Sequence, residues 1–214
     1  MRFMHQLFIK TPRLVQRIFS SYIWRMPATE NAVYLTFDDG PHPTITPWVL
    51  NLLKQHQAQA TFFCIGKNVV QHPAIYNRII SEGHAVGNHT FNHLNGWETN
   101  TEQYVKDVEK AAAVISSNLF RPPYGKIKTA QANGIRKIAS LQKAKVIMWD
   151  VLSADFDKAT SPEQCLQNVL QHVTPGSIVV FHDSEKASKN LFFVLPKVLQ
   201  LLSENGSLFK KIGD

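Results

Sequence analysis

Long hydrophobic runs are missing from this 214-residue sequence. No stretch approaches the roughly 18 consecutive apolar residues that a transmembrane helix needs. The first residues, MRFMHQLFIKTPRLVQ, are interrupted by Lys10 and Arg13. They therefore lack the unbroken apolar segment and the small-residue cleavage site of a signal peptide. From these absences we expect a cytoplasmic protein.

Cysteine is also scarce, because the chain has only Cys64 and Cys165. Neither has the spacing of a metal-binding motif, and two distant cysteines do not form a disulfide framework. We predict that both are small buried hydrophobic residues. No glycine-rich phosphate-binding fingerprint follows the first apolar run, which argues against a nucleotide-binding sheet.

Acidic residues are absent from the first 27 positions, which hold five basic ones: Arg2, Lys10, Arg13, Arg17 and Arg25. The rest of the chain contains all 16 acidic residues and is close to neutral, although the net charge of the protein is +7. This pattern indicates a basic N-terminal arm on a neutral body. No stripe of Lys and Arg interleaved with aromatic residues occurs in the body, so we do not expect nucleic-acid binding.

Short apolar runs alternate with segments of helical periodicity along the body of the chain. The runs predict strands at 33–37, 60–65, 84–88, 118–121, 145–150 and 177–182, with a weak seventh near 207–210. Helix starts are predicted between them, for example at Thr46-Pro47 and at Ser161-Pro162. Repeated βα units predict parallel strands with right-handed crossovers. We therefore predict an α/β fold, a distorted and incomplete (β/α)7 TIM-like barrel spanning residues 31–214.

Residues 1–30 are predicted to form a basic, amphipathic N-terminal extension. Thr11-Pro12 has the pattern of a helix start, and apolar residues follow at helical spacing: Leu14, Val15, Ile18, Phe19, Tyr22 and Ile23. Such a helix could pack on the barrel, over the gap that an incomplete barrel leaves. Alternatively, residues 1–27 could associate weakly with an anionic membrane surface.

Polar clusters follow five of the predicted strands. They are Asp38-Asp39, residues 88–93 (NHTFNH), 121–125 (RPPYG), 150–156 (DVLSADF) and 181–183 (FHD). In a parallel barrel these strand ends lie on one face, where the active site is found. Each cluster alone has a structural explanation, such as a turn or a buried histidine. Five such coincidences on one face are a weaker explanation than a shared site.

His89 and His93, together with one of the two aspartates, offer three ligands for a metal ion. Three protein ligands leave a position open for water, as in catalytic rather than structural zinc sites. The second aspartate is then free for proton transfer, and a bound cation relieves the repulsion between the adjacent carboxylates. No glutamate lies between the two histidines, so the pattern is not the metalloprotease helix motif.

In this order, the segments TFDDGP, HTFNH, RPPYG, DVLSADF and VVFHD resemble the polysaccharide deacetylases, the family-four carbohydrate esterases with a NodB-homology domain. The resemblance extends from about residue 31 to the C-terminus. It implies the same incomplete barrel that the strand pattern predicts. It also implies hydrolysis of an N-acetyl group on an N-acetylated amino sugar, with release of acetate.

The resemblance further implies a role for each of eight residues. Asp39, His89 and His93 would bind the metal, Zn²⁺ or another divalent ion such as Co²⁺. The implied catalytic residues are Asp38 as general base, Arg121 as its ion-pair partner, Tyr124 as an oxyanion-stabilising backbone N–H, His182 as general acid and Asp155 as the partner of His182. Two positions depart from the family pattern: Phe156 stands where Trp is usual, and Val179 where Leu is usual.

Several alternatives remain open from the sequence. The substrate could be an oligosaccharide, a polysaccharide or a precursor, including a lipid-linked sugar that carries an acetyl or formyl group. A non-catalytic carbohydrate-binding module on the same fold is a second hypothesis, but a binder needs neither Asp38 nor His182. A structural zinc protein is disfavoured by the three-ligand set. Trp97 could stack on a sugar ring or only pack a loop.

Overall fold

The computed structural model describes residues 8–213. Eight strands lie in this range: β1 Ala32–Asp38, β2 Thr61–Cys64, β3 Ala85–Asn88, β4 Leu119–Phe120, β5 Lys145–Val146, β6 Val151–Leu152, β7 Ile178–His182 and β8 Leu208–Phe209. The α-helices of the same range are α1 Arg13–Ile18, α2 Ile45–Gln55, α3 Gly66–Gln71, α4 Pro73–Ser81, α5 Thr101–Ala112, α6 Thr129–Ile135, α7 Pro162–Leu170 and α8 Ser188–Glu204.

The strands form one parallel sheet in the order β5-β4-β3-β2-β1-β7-β6, and β8 pairs with the start of β1. Helices connect successive strands, as the alternating sequence pattern predicted, except between β5 and β6. Seven strands of this sheet curl into a barrel that remains incomplete, which confirms the predicted distorted (β/α)7 fold. The β1 strand lies near the middle of the sheet, and all seven of its residues are buried.

Aromatic packing holds the centre of the sheet. The Phe37 ring stacks between those of Phe62 and Phe181, at centroid distances of 5.0 and 5.9 Å. These three side chains come from adjacent strands at the same register. The same pairing places Asp38, the last residue of β1, beside His182, the last residue of β7. Packing of the apolar residues before them thus sets the position of both polar residues.

The predicted strand 145–150 is wrong as a single element. Its first part is β5, which pairs with β4 at one edge of the sheet, whereas β6 begins at Val151 and pairs with β7 at the other edge. Between them, Met148 N donates to Ile23 O at 2.7 Å, and Ile23 N donates to Val146 O at 2.9 Å. This segment crosses the open side of the barrel, and its neighbour there is the N-terminal arm. A continuous apolar run could not reveal that change of partner.

The N-terminal arm, residues 8–26, lies along the gap between the two sheet edges. Leu152 N donates to Ile9 O, and Thr11 N donates to Asp150 O. Farther along, Arg25 forms a bridge with Ser177. These contacts support the prediction that the extension packs over the gap. The first seven residues of the predicted extension lie outside the described part of the chain.

Helix α1 is shorter than the apolar spacing predicted. It ends at Ile18 instead of continuing to Ile23, because the chain turns there to reach β5. Val15 faces the barrel, whereas Leu14 and Ile18 are 68% and 65% exposed. The helix therefore has one face against the protein and one apolar face toward solvent.

Asp150 does not lie on the face of the barrel where the sequence placed it. Its carboxylate accepts hydrogen bonds from Ser177 Oγ at 3.1 Å and from Ile178 N at 2.9 Å. Ile178 begins β7, so Asp150 lies at the opposite end from His182. Lys10 and Arg25 of the arm form ion pairs with this fully buried carboxylate. Asp150 thus anchors the arm.

Two helix starts that were predicted from capping patterns can be compared with the structure. The Ser161 side chain accepts a hydrogen bond from Gln164 N at 3.2 Å and caps α7, as predicted. The predicted start at Thr46 is wrong, since α2 already begins at Ile45. The Thr46 hydroxyl instead donates to the buried carboxylate of Asp183. A tertiary contact has replaced the expected cap.

Both cysteines are fully buried and free, in agreement with their prediction as small hydrophobic residues. Within residues 8–213, no helix has the length and apolar character needed to cross a membrane.

Candidate active site

All eight predicted site residues lie at the carboxyl ends of strands or in the loops that follow them. Asp38 and Asp39 leave β1, while His182 ends the neighbouring β7. The structure brings these side chains together on one face of the barrel. Of the clusters that the sequence analysis singled out, only the segment beginning at Asp150 is divided between the two ends.

Arg121 holds Asp38 by an ion pair that is closed to solvent. Its Nη1 donates to Asp38 Oδ1 at 2.7 Å and to Thr36 Oγ1 at 2.7 Å. Its Nε and Nη2 donate to the carbonyls of Ile147 and Met148. The guanidinium is fully buried and lies 4.0 Å from the centre of the Phe63 ring. With its donors satisfied, Arg121 fixes the orientation of the Asp38 carboxylate.

Asp39, His89 and His93 form a cluster with the geometry of a metal site. One potential ligand atom from each lies within 4.8 Å of the others. Asp39 Oδ1 lies 3.1 Å from His93 Nε2 and 3.8 Å from His89 Nε2. This buried oxygen has no hydrogen-bond partner. A buried carboxylate oxygen without a partner, facing two imidazole nitrogens, fits a divalent cation.

The second nitrogen of His89 prepares the first for metal binding. His89 Nδ1 lies 2.8 Å from the carbonyl oxygen of Arg121, so the Nδ1 proton is donated there. The Nε2 lone pair then points into the cluster, which is the usual arrangement of a metal-binding histidine. Burial lowers the pKa of His89 to about 4, despite the opposing charges of Asp38 and Asp39. The imidazole is therefore neutral at neutral pH, as a ligand must be.

Asp39 is ionised in this setting. Burial alone would raise its pKa, but the adjacent His93 imidazole and the charges of His182 and His89 lower it well below the usual range. The cluster thus supplies one negative charge and two imidazoles. This donor set suits Zn²⁺ and other borderline divalent ions.

His182 is held by both oxygens of one carboxylate. Its Nδ1 lies 2.8 Å from Asp155 Oδ1, and its backbone N–H donates to Asp155 Oδ2 at 2.8 Å. Burial tends to lower the pKa of His182, but the charge and hydrogen bond of Asp155 prevail and raise it to about 9. The protonated imidazole is therefore the main form at neutral pH. The Phe156 ring packs edge-on against it at 4.9 Å.

Comparison with known proteins identifies the family of this chain. The polysaccharide deacetylase family profile matches residues 25–141, more than half of the chain. A peptidoglycan-N-acetylglucosamine deacetylase of Bacillus cereus is 34% identical over 197 residues, covering 89% of this chain and 91% of that protein. The chain belongs to the polysaccharide deacetylase family.

Two further members of the polysaccharide deacetylase family extend the comparison. A chitooligosaccharide deacetylase of Azorhizobium caulinodans is 34% identical over 166 residues, covering 74% of this chain and 77% of that protein. The crystal structure of a peptidoglycan N-acetylglucosamine deacetylase in complex with 4-naphthalen-1-yl-N-oxidanyl-benzamide superposes with a TM-score of 0.79. It has 30% sequence identity and covers 92% of this chain and 94% of the other.

Unusual backbone conformations concentrate at the site of this polysaccharide deacetylase. Of the six non-glycine residues with positive φ in the described range, five lie in loops on the site face: Asp39, Thr90, His93, Tyr124 and Ala154. Such conformations cost about 1–3 kcal/mol each, and they persist where the surroundings over-determine them. This strain was not predictable from the residue types, because only the aspartate and the histidine are among those that favour positive φ.

Two buried aspartates to which the sequence analysis gave no role support the loops that carry Asp39, His89 and His93. Asp107 of α5 accepts hydrogen bonds from the backbone of Phe91 and Asn92 at 2.8 and 2.9 Å, in the loop between the two histidines. Asp183 accepts from Gly40 N at 3.1 Å, directly after Asp39. The helical position of Asp107 resembled an ordinary polar face. For Asp183, proximity to His182 was the only signal.

The loop after Asp39 also shows why a glycine follows it. A Cβ placed on Gly40 would lie 2.2 Å from Asp183 Oδ2, closer than any real contact. Burial raises the pKa of Asp183 to about 7, with the charge of Asp39 adding to the effect. The close approach of carboxylate and backbone thus depends on Gly40.

Aromatic side chains border the site in the loops after β3 and β4. The Tyr124 ring packs edge-on against His93 at 4.7 Å and is 60% exposed. Trp97 is 61% exposed, and Lys126 Nζ lies 5.3 Å from its ring centre. Trp97 is thus not buried in its loop, and an exposed aromatic face is available to a ligand.

Proposed function

We propose that this chain is a metal-dependent hydrolase that removes the N-acetyl group from an N-acetylated amino sugar and releases acetate. The observation that carries the proposal is the arrangement around the Asp39, His89 and His93 cluster. Asp38, held by the buried Arg121, and His182, held by Asp155, lie at the ends of adjacent strands on the same face. A base and a protonated acid beside a three-ligand site are the groups that amide hydrolysis requires.

Asp39, His89 and His93 would hold the metal, for which we propose Zn²⁺, with Co²⁺ as an alternative. The fit rests on the oxygen of Asp39 that lacks a hydrogen bond and on the neutral His89. When bound, such an ion polarises the acyl carbonyl and lowers the pKa of water to about 7.

Asp38 is the group suited to accept the proton of the attacking water. Arg121 occupies Oδ1, which leaves Oδ2 to receive the proton. The backbone N–H of Tyr124 is proposed to donate a hydrogen bond to the developing oxyanion; the loss of one such donor typically costs about 10²–10³ in rate.

His182 is the group suited to protonate the leaving nitrogen. With Nδ1 bonded to Asp155, the proton on Nε2 is the one available for transfer. The hydroxide adds to the acyl carbon, the C–N bond breaks, and the nitrogen leaves as an amine after it receives that proton. Acetate and a free amino sugar are the products, and Asp38 retains the proton of the water until turnover is complete.

The relatives support a substrate built from N-acetylglucosamine, since the proteins compared above are named for peptidoglycan and chitooligosaccharides. Zinc-loaded protein incubated with chitooligosaccharides and with peptidoglycan fragments should release acetate, measured by an enzyme-coupled assay. The matched control is Asp38→Asn, which should bind metal and release little acetate. Metal-loaded protein that releases acetate from no N-acetylated sugar would reject the proposal.

A further inference from the structure

A groove of about 470 Å³ lies beside the active site, between the N-terminal arm and the barrel. Its volume is within the roughly 300–1,000 Å³ of small-molecule binding sites. Most of its lining is apolar or aromatic, including Val15, Phe19 and Tyr22 from the arm and Trp97, Tyr124 and Trp149 from the barrel. An apolar groove of this size that is open to solvent is typical of a ligand-binding site.

The groove is continuous with the site through Tyr124. The ring of this residue lines the groove and also contacts the ligand His93. A substituent that extends from the bound sugar in this direction would pass over Tyr124 and contact the apolar lining. The arm wall includes residues before position 25, where the match to the family profile begins.

One charged side chain lies among the described residues that line the groove. Among the described lining residues no acidic side chain occurs, and Lys126 is the one charged residue. Its Nζ lies near both exposed aromatic rings, 5.3 Å from that of Trp97 and 6.0 Å from that of Tyr124. Arg13 and Arg17 of α1 are exposed nearby on the arm. An apolar groove with a cationic rim suits a ligand that joins an aliphatic chain to an anionic group.

We propose that this groove binds the aliphatic chain of a lipid-linked amino sugar, with the phosphate that links chain and sugar near Lys126. The inference rests on the proposed function and narrows its substrate class to glycolipids. Burial of the chain would strengthen binding of the whole substrate, by up to about fourfold for each methylene group removed from water.

The test compares two esters of N-acetylglucosamine 1-phosphate, one methyl and one octyl, both below micelle-forming concentrations. With zinc-loaded full-length protein, we expect kcat/KM for acetate release to be at least about tenfold higher for the octyl ester. The double variant Val15→Ser/Phe19→Ser should lose most of this preference, with the methyl ester unaffected. Similar rates for the two esters with the unaltered protein would overturn the inference.

The same helix offers a matched control. Leu14→Ser/Ile18→Ser removes two aliphatic side chains from the exposed face of α1 and leaves the groove lining unchanged. This variant should keep the octyl preference, and melting curves should show that both variants fold. Equal loss of preference in the two variants would also overturn the inference. So would a rate that rises with oligosaccharide length while the two esters react alike, since the groove would then bind sugar rings.

A second readout separates this inference from the proposed hydrolysis. Trp24, Trp97 and Trp149 line the groove, so binding of the octyl ester should change tryptophan fluorescence without any turnover. Saturable binding of the octyl ester alone, weakened by Val15→Ser/Phe19→Ser, supports the groove even where no acetate is released. Acetate release without such binding would retain the hydrolase and reject the groove.

Discussion

Adjacent aspartates acquire different chemistry here through one change of backbone conformation. Asp38 ends β1 in regular strand geometry and reaches the buried Arg121. Asp39 has φ of 80° and directs its carboxylate toward the two histidines. One residue of left-handed backbone therefore separates a candidate base from a candidate metal ligand. Gly40 and Asp183 fix the chain directly after this turn.

Substitution of the two aspartates should give different signatures. Asp38→Asn keeps the size of the side chain but cannot accept a proton, so turnover should fall by about 10²–10⁴ while metal content is retained. Asp39→Ala removes a charged ligand, so metal content and activity should fall together. Metal content by mass spectrometry, beside an acetate-release assay, checks both expectations. Loss of metal in Asp38→Asn with retention in Asp39→Ala would show that the roles are reversed.

The pairing of Asp155 with His182 predicts a pH dependence. Because Asp155 raises the pKa of His182 to about 9, the protonated acid persists up to that pH and is lost above it. Asp155→Asn removes the charge that sustains the shift, so the alkaline limb of the activity profile should move to lower pH. The same shift affects the free energy of unfolding. The pairing of Asp155 with protonated His182 stabilises the fold fully below the unfolded pKa of about 6.5, and this stabilisation is lost as pH rises through about 9. An alkaline limb that stays in place in Asp155→Asn would mean that another group controls it.

At the scale of elements, the sequence motifs predicted which residues lie together on one face better than the hydrophobic periodicity predicted the strands. Strand β1 and its partners β2, β3 and β7 were predictable because each is a short apolar run between turn signals. The division of 145–152 into β5 and β6 was not, since the cause is hydrogen bonding to Ile23, more than 100 residues away. The supporting residues Asp107 and Asp183 were missed for a similar reason. Their roles depend on which backbone amides the fold brings to them.

The predicted association of the N-terminal arm with an anionic membrane can now be assigned to one face of helix α1. Leu14 and Ile18 are exposed on one face, and Arg13 and Arg17 are exposed beside them. This face suits an anionic lipid surface. The full chain should sediment with vesicles that contain anionic lipid, less so at high salt, and Leu14→Ser/Ile18→Ser should weaken this binding.

The control for that measurement is Val70→Ser/Ile80→Ser. It removes two side chains that are 57% and 47% exposed elsewhere on the surface. Equal sedimentation of the unaltered protein and the α1 variant would show that this face does not bind lipid.

At the scale of the whole molecule, the arm takes the place of the strands that a complete barrel would have. The two edges of the sheet, β5 and β6, are joined through backbone hydrogen bonds with Ile23 and Ile9. The fully buried Asp150 accepts Lys10 Nζ at 2.7 Å and also pairs with Arg25. The N-terminal extension, predicted as residues 1–30, is thus joined to the barrel by hydrogen bonds and ion pairs at several points along its described length.

Removal of the arm should therefore destabilise the barrel. A chain that begins at residue 28 loses Lys10 and Arg25 and leaves the carboxylate of Asp150 buried without a cation. Breaking a buried ion pair from one side costs about 3–5 kcal/mol, and the partial exposure of the two basic side chains, 32% and 30%, puts this pair at the low end. Urea unfolding of the two chains should show a clearly lower midpoint for the shorter one.

A double-mutant cycle would assign that loss to Asp150. In the full chain, Asp150→Asn removes a satisfied charge and should be destabilising. In the chain that begins at residue 28, the same substitution removes an unpaired buried charge, so it should cost much less or even stabilise. The difference between the two values measures the coupling between arm and carboxylate. Equal effects of Asp150→Asn in both chains would show that the arm stabilises the barrel through backbone pairing and apolar contact alone.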